Sequence, residues 1–221
     1  MKTKGWLGLF FIDATLHLVT TVNTMPFISM ITKPLLMVLL GGYFLSQFKS
    51  NSSQIKYWVI AALVGSWFGD TFLMFQGHSS LFFLLGLSSF LLAHLAYTFA
   101  FLKFENRPNK WVFIVISLLF FAYSVVLAYT VWPGLGAMKI PVLVYALVLT
   151  IMGITGVIKN YGANNMIVIG VVLFIISDSL IAYTKFAASV ENSRFLIMLT
   201  YILAQFLIIK GLSKRMVKIY S

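Results

Sequence analysis

The sequence contains no cysteine, which excludes disulfide staples, thiolate metal ligands and a cysteine nucleophile. Acid is nearly as scarce, with five Asp and Glu in 221 residues against sixteen Lys and Arg. Charged residues make up 10% and apolar residues 61%, with a mean hydropathy of +0.98. A water-soluble core cannot use that much apolar surface, so the composition is that of a membrane protein. Histidine occurs three times, at His17, His78 and His94, in no HExxH or clustered-carboxylate context. No metal and no cofactor are therefore expected. The formal charge of +11 does not point to nucleic acid, because the basic residues come in ones and twos between apolar runs. That is the pattern of charges that set membrane topology.

What the chain has in abundance is apolar runs long enough to cross a bilayer, which takes about 20 residues. They cover Gly5–Asn23, Pro26–Gln47, Lys56–Phe75, Ser80–Leu102, Trp111–Val131, Ile140–Ile158, Met166–Phe186 and Phe195–Leu212. The expected fold is an all-α polytopic membrane domain over 1–221, with eight transmembrane helices joined by short loops. The first run lacks a small-residue cleavage site and reads as a retained helix, not a signal peptide. Twelve basic residues fall on one side of this arrangement (Lys2, Lys4, Lys49, Lys56, Lys103, Arg107, Lys110, Lys159, Lys210, Lys214, Arg215 and Lys218). Only Lys139, Lys185 and Arg194 fall on the other, and Lys33 lies inside a run. The positive-inside rule then puts both termini in the cytoplasm of a multi-pass cell-membrane protein.

Three of the five acids, Asp13, Asp70 and Asp178, sit inside apolar runs. An ionisable group at membrane depth costs at least about 2.5 kcal/mol on insertion scales and is a functional candidate by default. The plain alternative is an acid buried only to pair with a basic neighbour. Asp13 and His17, four residues apart on the first helix, are expected to satisfy each other. Asp70 and Asp178 both lie roughly 18 to 21 Å from the cytoplasmic boundary at 1.5 Å per residue, in the outer half of the membrane. Lys33 reaches a similar level, and His94 and Tyr97 lie deeper. Gly65 and Gly69 form a small-xxx-small pair that lets a neighbouring helix approach beside Asp70.

The two halves of the chain, 1–105 and 106–221, echo each other. ITKPLLMVLL from Ile31 resembles MKIPVLVYAL from Met138, and FGDTFLMF from Phe68 resembles ISDSLIAY from Ile176. The offsets nearly agree, 106 for Lys33 to Lys139 and 108 for Asp70 to Asp178. Four helices separate the members of each pair, and an even separation preserves direction. A parallel repeat about an axis along the membrane normal is the expectation, against coincidence among low-complexity apolar segments.

Lys33-Pro34-Leu35, Gly69-Asp70 with Leu73, Gly86 followed by Phe90, His94 and Tyr97, Ser177-Asp178 with Leu180, and Tyr201 with Ala204-Gln205 resemble, in order and spacing, the YhhN family of membrane proteins. Animal members of that family are lysoplasmalogenases. The resemblance implies hydrolysis of the vinyl ether bond of a lysoplasmalogen, an alkenyl lysophospholipid, to a fatty aldehyde and a glycerophospho-base.

That reaction needs a proton delivered to the alkene, stabilisation of an oxocarbenium-like cation beside the ether oxygen, and an activated water. Two carboxyl groups in different environments supply these roles, one as acid and one as stabiliser and base. Asp70 and Asp178 are the catalytic candidates, and Lys33, His94 and Tyr97 are candidates for substrate contact. Each has a plainer reading. Lys33 snorkels to the headgroups, His94 bonds between helices, Tyr97 packs like most aromatic residues here, and Gln205 is interhelical glue. His78, in an exterior turn, is solvated. Paired acids and an internal repeat are also what a proton-coupled transporter uses, and a non-catalytic lipid-binding protein is a third reading. Broken helices would favour the carrier. Pro34 and Pro141 are placed near helix starts, where proline is tolerated, which leans towards the enzyme.

Overall fold

The computed structural model describes residues 3–48 and 53–220, and it is built entirely from helices among these residues. Lys2, Lys49 and Ser221 lie outside the described residues. The eight helices are α1 (Thr3–Val22), α2 (Pro26–Ser46), α3 (Gln54–Met74), α4 (Ser80–Leu102), α5 (Lys110–Val131), α6 (Lys139–Asn160), α7 (Asn165–Phe186) and α8 (Ser193–Tyr220). All eight are long and apolar enough to cross a membrane. Their bounds follow local chemistry. Ser53, Ser79, Asn109 and Asn164 each accept a backbone N–H of the first turn at the starts of α3, α4, α5 and α7. Pro26 starts α2, where its missing N–H is no loss.

Two departures from expectation have simple causes. Helix α8 runs on well past Leu212, because Ser213 and Met216 stay buried and Arg215 is recruited as a cap for its neighbour. Arg215 Nη1 donates to Lys159 O at 2.7 Å and Asn160 Oδ1 at 2.6 Å, satisfying the carboxyl end of α6. Pro34 is interior to α2, not near its start, and the helix continues through it.

Short loops reverse the chain between helices, and every successive pair except α4 and α5 is in close contact, so odd-numbered helices start, and even-numbered ones end, on one face, called here the near face; the other is the far face. The closest pairs are α3 with α4 and α7 with α8. Glycine makes both possible. A β-carbon on Gly65 would lie 3.0 Å from Ser89 O of α4, and one on Gly170 would lie 2.9 Å from Ile208 N of α8. Backbone sits against backbone at both places, as small-residue packing between membrane helices requires. Contacts between the halves run from α4 to α6 and from α1 and α2 to α8. Helix α5 is the outlier. Only Val131 of its residues is buried, and it is tied in by Tyr123 donating to Ser179 at 2.8 Å and by a 2.6 Å bond between Ser124 and Thr150.

Candidate active site

The apolar faces of α3, α4, α7 and α8 bury their polar residues towards one another. On α4 the buried stripe Phe83, Gly86, Phe90, Ala93, His94, Tyr97 and Phe101 recurs every three or four residues, so its apolar pattern also points His94 and Tyr97 inward. The same spacing on α7 aligns Gly170, Phe174 and Asp178, and on α8 it aligns Tyr201, Gln205 and Ile208.

Asp70, 2% exposed, receives a hydrogen bond from the Tyr201 hydroxyl at 2.7 Å, and Lys33 Nζ stands 3.5 Å from its other oxygen. Asp178 receives a hydrogen bond from Tyr145 Oη at 2.5 Å, and His94 Nε2 lies 3.4 Å from the same oxygen. Each acid is therefore held by one residue of its own half, Lys33 of α2 or Tyr145 of α6, and one of the other half, Tyr201 of α8 or His94 of α4. Phe174 packs edge-on to His94, Tyr97 and Tyr201 and forms the apolar centre of the cluster. A polar chain continues below Asp70. Tyr97 donates to Gln205 Oε1 at 2.5 Å, and Gln205 Nε2 donates to Ser66 Oγ at 2.9 Å.

Two cavities adjoin beside this cluster, sharing Leu73 and Ile181. One is narrow and apolar, about 60 Å³, and is walled by α4, α5, α6 and α7 with Phe83, Phe90, Leu127 and Leu149 among its lining. That is room for about four waters. Asp178 and Tyr145 are on its wall. The other is a polar vestibule of about 760 Å³ at the far face, lined by His17, Ser29, Lys33, Thr184, Lys185 and Arg194 among others. Asp70 lies one ion pair behind it, through Lys33. Leu73 and Ile181 line both cavities and form the partition. Each stands three residues beyond its acid, and they are 108 apart, the same offset as Asp70 and Asp178.

Lys33, Asp70, His94 and Asp178 are thus brought into one cluster, with Lys33 engaged at Asp70 and not merely turned to the surface. Tyr97 is wholly buried and lines neither cavity; its hydroxyl is committed to Gln205. His94, also wholly buried, lines neither cavity and stands behind Asp178 and Tyr145, which wall the apolar one. Gln205 joins α3, α4 and α8, as expected of interhelical glue. His78 is exposed in its turn.

Asp13 and His17 do not satisfy each other. His17 Nδ1 pairs with Thr32 Oγ1 at 2.8 Å, while His17 Nε2 and Asp13 Oδ2 have no hydrogen-bond partner among the described residues. A shared helix face brings two side chains near, but the rotamer that lets His17 bond across to α2 turns its ring to that helix. Tyr145 was not singled out in sequence because a tyrosine within an apolar run carries no sign of its partner. Its place six residues after Lys139, on the helix matching the one that carries Lys33, was the available signal.

The sequence profile of the YhhN family matches residues 28–212, most of the chain, and the protein belongs to that family. No solved structure matches it.

Proposed function

We propose that this YhhN family member is an intramembrane hydrolase that cleaves the vinyl ether bond of alkenyl lysophospholipids, releasing a fatty aldehyde and a glycerophospho-alcohol. The observation that carries the reading is that one acid stands on the wall of an apolar cavity and the other one ion pair behind an adjoining polar vestibule. Asp178 faces the apolar cavity and, among the described residues, has no cation within salt-bridge reach other than what His94 supplies on protonation. Asp70 is paired with Lys33 at the polar vestibule, where water has access.

The lipid lies with its phosphate in the vestibule, its vinyl ether between Leu73 and Ile181, and the start of its chain in the apolar cavity. Because that cavity holds only the first few methylenes, the rest of the chain leaves past α5, the least embedded helix. Asp178 gives its proton to the alkene carbon remote from oxygen, and the double-bond electrons form the new C–H bond. The cation that develops at the carbon beside the ether oxygen is stabilised by the Asp70 carboxylate. Asp70 takes a proton from a vestibule water as the water adds to that carbon. Collapse of the hemiacetal breaks its bond to the glycerol oxygen, which leaves as the alcohol on taking up a proton. The aldehyde remains, and proton transfer through water resets the acids.

His94 and Tyr145 hold Asp178, and Tyr201 and Lys33 hold Asp70. Broken helices at the acids would favour a proton-coupled carrier, and α3 and α7 run unbroken through both. Incubating the purified protein with an alkenyl lysophospholipid and measuring free aldehyde tests the reading. Release by the wild type and none by Asp178→Asn supports it, and no release from any alkenyl lysolipid refutes it.

Two further parts belong to this reading. Both termini are cytoplasmic, which places the vestibule outside; a reporter fused after Ser221 and found active only on the exterior would reverse that. Halves 1–105 and 106–221 are parallel repeats. An experimental structure with Asp70 and Asp178 at depths differing by more than about 11 Å, two helical turns, would end the repeat.

A further inference from the structure

Four basic residues do not belong to the near face, namely Lys33, Lys139, Lys185 and Arg194. Three of them, Lys33, Lys185 and Arg194, line the vestibule, and no Asp, Glu, Phe, Tyr or Trp is among its lining residues. On a face otherwise so poor in charge, gathering the cations at one cavity is a feature of that cavity and not of topology. The first residues of α2 and α8, Pro26 and Ser193, also line it, so two helix N-termini add their positive ends. Lys33 is engaged with Asp70 at 3.5 Å. The ammonium of Lys185 stands 4.9 Å from the centre of the Phe83 ring, which steadies it at the cavity's edge. Glu191, in the loop before α8, makes no ion pair among the described residues and is not part of the lining. Lys185 and Arg194 therefore face the vestibule as cations without an acid.

We propose that the vestibule selects single-chain lipids whose head is net anionic, a phosphate monoester or a phosphoglycerol, over those with a zwitterionic head, and that Lys185 and Arg194 are the residues that select. A choline or ethanolamine head carries an ammonium beside its phosphate. Proteins hold such a group with a carboxylate or a cage of aromatic rings, and the vestibule offers neither. It places the ammonium among like charges, a repulsion that works as discrimination against the wrong ligand. An anionic head meets only attraction, with Arg194 able to grip two phosphate oxygens at once.

The inference rests on the lipid-hydrolase reading for its ligand, but it is tested by binding, apart from catalysis. Non-cleavable 1-O-alkyl glycerophosphate and 1-O-alkyl glycerophosphocholine of one chain length are titrated against the purified full chain in neutral detergent. The expected result is binding of the phosphate monoester at least ~10-fold tighter, a preference that shrinks as ionic strength rises. Lys185→Gln with Arg194→Gln, shown to be folded by elution profile and unfolding temperature, brings the ratio of the two constants close to one. Equal or tighter binding of the choline lipid by the wild type overturns the inference, as does a ratio that the double substitution leaves unchanged. Competition by inorganic phosphate as strong as by the alkyl glycerophosphate also overturns it, since the vestibule would then be a free-anion site. The two readings fail separately. Preferential binding without aldehyde release from the alkenyl form removes the enzyme and keeps the selectivity, whereas aldehyde release with equal binding of both heads does the reverse.

Discussion

Asp70 and Asp178 occupy corresponding places in the two halves of the chain and are treated differently by what surrounds them. Both are buried on the first helix of a tightly packed pair, both accept from a tyrosine, and both have an aliphatic residue three positions on that walls two cavities. The difference lies in the second partner and in what lies beyond it. Asp70 has a lysine and, behind it, a polar vestibule. Asp178 has an imidazole with neither ring nitrogen hydrogen-bonded and, beside it, an apolar slot. A fixed cation and nearby water suit a carboxylate that stabilises positive charge, while neutral donors and apolar walls suit a carboxylic acid that gives up a proton. Two acids that are alike in spacing along the chain thus have unlike surroundings.

The comparison breaks most sharply at the acids themselves. Asp178→Asn and Asp70→Asn keep volume and remove the proton chemistry, so aldehyde release should fall at least ~10²-fold in each. Asp70→Asn retaining near wild-type release while eluting as a folded protein would make Asp70 a structural partner of Lys33. The symmetric packing beneath the acids is tested next. Gly65→Val and Gly170→Val each drive a side chain against a neighbouring backbone, and each should lower stability by about 1–3 kcal/mol in thermal unfolding in detergent. If only one does, the two helix pairs are not equivalent supports.

Lys33→Met separates the environments. With its cation gone, Asp70 should still be present but poorly set, so KM should rise by about tenfold before kcat is lost. An unchanged KM with a collapsed kcat would move Lys33 from binding to chemistry. The smallest effects belong to the hydroxyls. Tyr201→Phe and Tyr145→Phe each remove one bond to a buried carboxyl and should cost about 1 kcal/mol. Measuring both with and without the paired Asp→Asn change shows by double-mutant cycle whether each tyrosine acts through its own acid.

Much of this was legible in the linear sequence. The eight spans were, because in lipid every backbone group must be satisfied within the helix and the apolar runs must match the bilayer in length. Asp70 and Asp178 stood out because an acid at membrane depth is expensive, and Lys33 and His94 for the same reason. The matching Lys/Pro and Asp segments were visible as offsets of 106 and 108. The stop of α8 was misplaced because Leu212 ends the apolar run, whereas the helix continues to use its backbone bonds and to bury Met216.

What the sequence by itself determined was the inventory: helices of membrane length and a few acids within them, set by local periodicity and the cost of burying charge. Only the tertiary structure decided the pairings. Tyr201 lies 131 residues from Asp70 and Tyr97 lies 108 from Gln205, and no local rule links them. They meet because rotations of α4 and α8 set by apolar packing bring those faces together. The same packing left Asp13 and His17, near neighbours on one helix, without a bond between them, and gathered Lys33, Lys185 and Arg194 from three separate helices around one cavity. Residues far apart in the chain become a site only through the way helices turn against one another, and that turning is decided by the whole set of buried side chains at once.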